Sequence, residues 1–155
     1  MCGIIGIFDF KKSKDEKERL KETKEMRLRA LEMATKIRHR GPDWSGIYVE
    51  EDESKESKGA ILAHERLSIV DVEHGAQPLF DKKEGKVLAV NGEIYTHVEL
   101  RSKLKKEHDW QTKSDCECIL YLYDEFGAKC VDMLSGIFAF ILYDEKKKDY
   151  FVARD

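Results

Sequence analysis

Apolar residues gather first between Gly3 and Phe8, a short Ile-rich run that predicts a buried strand near the start of the chain. A charged stretch follows. Lys11 to Glu25 holds seven basic and five acidic residues, which predicts a solvated helix face or a loose loop. From about Leu20 the pattern turns helical. Met26, Ala30, Met33 and Ile37 fall at i, i+4, i+7 and i+11 as one apolar stripe, and Gly41-Pro42 stops that helix near Arg38 or His39. Ser45 to Glu50 and Ala60 to Glu65 read as strands joined by a polar surface loop, Glu51 to Lys58. Val87 to Asn91 reads as another strand, ending at Asn91-Gly92, a turn signal. His97 to Glu107 has helical spacing. Ser114 or Asp115 caps a further helix that runs through Phe126 to the stop at Gly127. Ile137 to Tyr143 is a continuous apolar strand, Glu145 to Asp149 a turn, and Tyr150 to Ala153 the returning strand. Helices in the middle of a hairpin-rich chain make the class α+β with antiparallel sheet.

Composition narrows what such a fold can serve. A chain of 155 residues suits one domain that buries roughly 68–70% of its unfolded surface. With 41% hydrophobic and 38% charged residues it is too apolar to be disordered and too charged for a bilayer. No apolar run reaches the about 18 residues that a membrane span needs. The 28 basic and 31 acidic residues nearly cancel, to a net charge of −3, which argues against a nucleic-acid footprint. The N-terminus has no basic region or cleavable apolar stretch, so the expected location is the cytoplasm, with Cys2, Cys116, Cys118 and Cys130 as free thiols. Cys116 and Cys118 would lie about 200° apart on a helix, and with Cys130 they lack zinc spacing, so no metal site is expected. There are no repeats and no Walker-type phosphate loop.

Cys2 stands out chemically. Removal of Met1 would leave its α-amine beside its own thiol. An α-amine titrates at about 7.7–8.0, close enough to neutrality to act as a general base, so nucleophile and base would belong to one residue. The plain alternative is an incidental cysteine. Gly3 and Gly6 suit a close approach of backbone or ligand, or merely a tightly packed sheet. Arg38-His39-Arg40-Gly41-Pro42-Asp43 suits either an anionic ligand or a basic helix end followed by a turn. Arg66, set among apolar neighbours, needs an anionic partner, which is either structural or a substrate carboxylate. Asn91-Gly92 offers an amide and a backbone N–H of the kind that builds an oxyanion hole, or an ordinary turn. Asp115 either caps a helix or meets an ammonium group.

Six segments, taken in order, carry a family resemblance. They are Met1-Cys2-Gly3-Ile4, Arg38 to Gly46, Ala63 to Asp71, Gly75 to Leu79, Asn91 to Tyr95 and Ser114 to Glu117. Together they resemble the N-terminal glutaminase domain of glutamine-hydrolysing asparagine synthetases, class II amidotransferases of the N-terminal nucleophile hydrolase superfamily. The resemblance runs from Met1 to Asp155. It implies a four-layer αββα sandwich, two antiparallel sheets between helices, truncated at its C-terminus. It implies Cys2 as nucleophile, and Asn91 with the Gly92 N–H as oxyanion donors. Arg66 would hold the α-carboxylate of L-glutamine. Asp115, with Glu93, would hold the α-ammonium, and Leu67, Ser68, Ile69 and Val70 would line the pocket. It implies no cofactor for this chain. ATP and Mg belong to a C-terminal synthetase domain, the expected partner, and a homodimer is one assembly that it allows. Lys11 to Glu25 is longer and more charged than usual, as a surface insertion would be, and Thr96 replaces a more usual Asn at the pocket rim. Two other readings stay open: the glutaminase domain of another class II amidotransferase, and an inactive binding or regulatory fragment.

Overall fold

The structure, a computed structural model, describes residues 1–50 and 59–155; the expected loop Glu51 to Lys58 lies outside the described residues. The elements are β1 (Gly3–Phe10), α1 (Glu16–Ile37), β2 (Trp44–Val49), β3 (Gly59–Arg66), β4 (Leu79–Asp81) and β5 (Lys86–Ile94), then α2 (His97–Lys103), α3 (Cys118–Phe126), β6 (Gly136–Asp144) and β7 (Asp149–Arg154). They form two antiparallel sheets. One has strand order β1-β3-β2, the other β4-β5-β6-β7. The class is α+β, as the hydrophobic pattern implies.

Strand alternation sorts the side chains into three apolar layers. Ile5 and Ala63 face α1 and meet Ala34 and Ile37. Their neighbours point the other way. Ala60 and Leu62 meet Val87, Ala89 and Tyr143 between the sheets. Leu88 and Val90 of β5 face outward again and pack with Phe140 and Leu142 against Ile119, Leu120 and Leu122 of α3. The order is therefore α1, first sheet, second sheet, then α2 with α3, which is the expected four-layer αββα sandwich. Central strand β3 is buried along its whole length, which suits its apolar run.

Several local expectations shift. The Asn91-Gly92 dipeptide is not a turn: β5 runs straight through it to Ile94, because Asn91 pairs with Ala139 and Gly92 with Phe138 of β6. Most of the charged segment is the start of α1, with Asp15 as N-cap accepting from Glu18 N at 3.0 Å. Along the middle of the helix the buried residues are Ala30 and Ala34, ahead of Ile37, whereas Met33 is 38% exposed. Two small residues bring the helix axis close to β3, and the flanking Met33 is left outside. Helix α2 stops at Lys103 because Leu104 turns extended. Asp115–Glu117 forms a 3-10 turn ahead of α3, and strand β4, three residues long, has no counterpart in the pattern.

The alanine contact should tolerate no added volume. Ala30→Leu is expected to destabilise by about 1–3 kcal/mol through overpacking, while Met33→Ala stays within about 0.5 kcal/mol of the parent. Thermal unfolding of the two variants checks this, and equal losses would refute the packing assignment.

Candidate active site

The alternation that builds the core also gathers the polar residues. His64 and Arg66 continue the inward-facing series of Ala60 and Leu62 on β3. Asn91 continues that of Val87 and Ala89 on β5, and Cys2 lies two residues before Ile4, which packs in the same inter-sheet layer. The apolar filling of that layer gives way to polar groups at this end. A cavity of about 170 Å³ opens there, lined by Cys2, Arg66, Gly92, Glu93 and Asp115, with Leu67, Ile69 and Val70 at its side. Ser68 does not line it. Its amide donates to Asp43 Oδ2 at 2.8 Å. Asn91 is adjacent to Gly92 but outside the lining.

The cavity exists because β4 is short. It pairs with β5 only from Lys86 to Leu88, so the rest of that edge has no neighbouring strand. Side chains take the strand's place. The Gln77 amide oxygen accepts from Val90 N at 2.7 Å, and His64 Nε2 lies 2.8 Å from Val90 O. The Cys116 thiol lies 3.7 Å from Gly92 O and 3.6 Å from Asp115 Oδ2, sharing its one proton between them, and Asp115 Oδ2 accepts from Ile94 N at 2.6 Å. Since Val90 and Ile94 direct these groups to the open edge, Gly92 between them directs its N–H there too. That N–H has no acceptor among the described residues. Glycine is required at 92, since a Cβ would stand 2.2 Å from Ile137 O. The Asn91 Oδ1 atom is also buried without a partner among the described residues.

Cys2 sits just ahead of β1, beside the start of the loop after β3. Leu67 N donates to its sulfur at 3.4 Å. Arg66 is buried, its guanidinium donating to the carbonyls of Val70 (3.0 Å), Asp71 (2.7 Å) and Val72 (3.2 Å). Three of its five N–H donors are thus used by the loop, leaving two for a ligand. Asp115 is buried with the carboxylate fixed on Ile94 N. The adjacent Cys116 is held as a neutral thiol. Burial, and then the Asp115 charge, push it well above the ordinary thiol range. All four cysteines are free.

The basic turn after α1 stays outside the cavity. Arg38 bonds Ser45 Oγ at 2.7 Å and lies 3.8 Å from Glu65, so this residue is engaged on the first sheet and not in the cavity. Thr96 is the residue before α2 and not part of the cavity wall; Tyr95 beside it is. Pattern analysis missed His64 and Gln77. Both are fully or nearly buried polar residues whose partner lies on another strand.

The four-layer sandwich carries Cys2 just ahead of its first strand. The chain belongs to the glutamine amidotransferase family: the sequence profile described as Glutamine amidotransferase domain matches residues 1–155. It is similar to asparagine synthetase B (glutamine-hydrolyzing) of Escherichia coli (strain K12), 51% identical over 155 residues, which cover all of this chain and 25% of that protein. It is 44% identical to asparagine synthetase (glutamine-hydrolyzing) 1 of Arabidopsis thaliana, again over the whole chain and 24% of the relative. The chain thus spans about a quarter of the length of these curated relatives. The structure of glutamine phosphoribosylpyrophosphate amidotransferase from B. subtilis shares the fold, with a TM-score of 0.61 at 20% identity over 98% of this chain and 37% of that one.

His64 makes the site end sensitive to acid. Burial pushes it down to about 4 from an ordinary 6.5, against the opposing hydrogen bond of the Val90 carbonyl, while the Arg66 charge adds a smaller downward push. The unfolded chain takes up this proton near 6.5 and the folded chain only near 4. His64 therefore adds stability in full above 6.5, and the contribution, about 3 kcal/mol, is lost as pH falls towards 4. In urea titrations, His64→Gln should flatten the decline between those pH values; an unchanged slope would contradict this.

Proposed function

We propose that this chain hydrolyses L-glutamine to L-glutamate and ammonia through a thioester on Cys2. The observation that carries the reading is the Gly92 N–H, unpaired on the open edge of β5 in the same cavity as Cys2. A backbone donor left without an acceptor, facing a cavity that also holds a thiol, suits the oxyanion of an amide undergoing attack. Arg66 and Asp115 in that cavity offer one cation with free donors and one carboxylate, matching the α-carboxylate and α-ammonium of an amino acid.

With Met1 removed, the α-amine of Cys2 takes the thiol proton and the sulfur attacks the side-chain amide carbon. Asn91 and the Gly92 N–H hold the developing oxyanion. The amine returns its proton to the departing ammonia. Water then cleaves the thioester, using the same amine as base, and glutamate leaves. Glu93 assists Asp115 at the ammonium, and the loop from Leu67 to Val70 closes the side of the pocket. In the full-length protein the ammonia passes to a C-terminal synthetase domain, which uses ATP and Mg to make asparagine from aspartate. Among the described residues no helix is long and apolar enough to cross a membrane, and we place the reaction in the cytoplasm.

Release of glutamate and ammonia from glutamine by the purified chain tests the reading. Cys2→Ala should abolish release, and mass spectrometry of the parent quenched in turnover should find a glutamyl adduct on Cys2. An uncleaved N-terminal extension should also abolish it, because the base is then tied up in a peptide bond; full activity in the extended protein would sink the assignment. Asn91→Ala should lower kcat by about 10²–10³ at nearly constant KM, the loss seen when one oxyanion donor is removed.

A further inference from the structure

Arg66 and Asp115 lie on different elements, and nothing within either element sets the distance between them. Arg66 ends β3. Asp115 follows the segment from 111 to 114, whose first amides are bound by Glu117: Gln111 N at 2.7 Å and Thr112 N at 2.8 Å. Asp71 touches both sides. Its backbone carbonyl accepts from Arg66 Nη2 at 2.7 Å and from Gly75 N at 2.8 Å. Its side chain reaches across, with Oδ2 accepting from Lys113 N at 2.8 Å. This is the single hydrogen bond between the loop from 67 to 75 and the segment from 111 to 115 among the described residues. Asp71 holds this double contact in a left-handed backbone conformation, φ +49°, which Asp and Asn adopt more readily than most residues. Its side chain is only 7% exposed, and the bond from Lys113 N holds the carboxyl below the usual carboxylate range. The guanidinium that it steadies is also crowded by the chain, since a Cβ on Gly75 would come within 2.6 Å of Arg66 Nη2.

We propose that Asp71 is a positioning residue that sets the separation of Arg66 and Asp115, and through it the recognition of both α-groups of the substrate. The proposal rests on the glutamine reading above. Asp71 touches no reacting atom, so its loss weakens substrate binding and leaves the chemical step alone. The backbone and side-chain roles separate by substitution. Asp71→Gly keeps the left-handed conformation and the carbonyl on Arg66 but loses the link to Lys113, together with the contact of Oδ1 with His74 Nδ1 at 3.6 Å within its own loop. Asp71→Asn keeps both, since its amide oxygen still accepts from Lys113 N. Asp71→Ala loses the link and strains the turn.

Steady-state hydrolysis of glutamine by the chain and its three variants tests this. Asp71→Gly should raise KM about tenfold with kcat within about twofold, the equivalent of one charge-assisted hydrogen bond withdrawn from ground-state and transition-state binding alike. Asp71→Ala should raise KM further, and Asp71→Asn should restore it to within about twofold of the parent. With a glutamine analogue lacking the α-ammonium, the Gly variant should lose less than it does with glutamine. An unchanged KM in Asp71→Gly, or a fall in kcat alone, overturns the role of Asp71 while leaving glutamine hydrolysis standing. An inactive parent chain overturns the glutamine reading and this proposal with it.

Discussion

An unfinished β-ladder organises this molecule. Strand β5 is paired along its full length by β6 on one side and for only three residues by β4 on the other. Exposed backbone donors and acceptors inside a sandwich are costly unless something answers them. Here four side chains do so: Gln77 and His64 at Val90, Cys116 at Gly92 O, and Asp115 at Ile94 N. They come from β3, the loop before β4 and the turn before α3. The open edge therefore determines where several separate segments must lie, and the cavity is the place where that replacement stops one group short.

Seen this way, stability and chemistry draw on the same contacts. Asp115 both terminates the edge and presents a buried carboxylate to the cavity. His64 joins the two sheets through Val90 O and stands on the same face of β3 as Arg66. Donors fixed before a substrate arrives cost no reorganisation during a reaction. A strand backbone held from both sides supplies that rigidity better than a loop would.

Much of the architecture was legible in the apolar pattern. Strands β1, β3, β6 and β7 announce themselves as Ile-, Leu- and Phe-rich runs, and Gly127 marks the end of α3. What was not legible depended on distant partners. Asn91-Gly92 has the composition of a turn, yet pairing with Ala139 and Phe138 keeps it in a strand. Met33 and Ala34 are equally plausible on a helical wheel, and only the closeness of β3 decides that the smaller one is buried. Of the candidate site, Cys2, Arg66, Asn91, Gly92 and Asp115 were picked out by the chemistry of their side chains and by family resemblance, and they converge at one end of the inter-sheet layer. Ser68 was expected in the pocket and instead answers Asp43. His64 and Gln77 escaped notice because their value lies in bonds to Val90, one across the sandwich and one from the loop before β4, which no local spacing encodes.

The unanswered Gly92 N–H also bears on how such a domain can change over time. A side chain able to accept from it, at Cys2 or on the loop after Arg66, would complete the last gap in the ladder and make the fold more stable. On the proposed reaction, the same change would fill the place given to the oxyanion. If that reaction holds, selection for stability alone would work against activity here, as in sites where function relies on a locally unsatisfied group. A descendant that had lost its chemistry but kept the scaffold for binding would be recognisable by an Asp, Ser or Asn filling this gap beneath an otherwise intact sandwich.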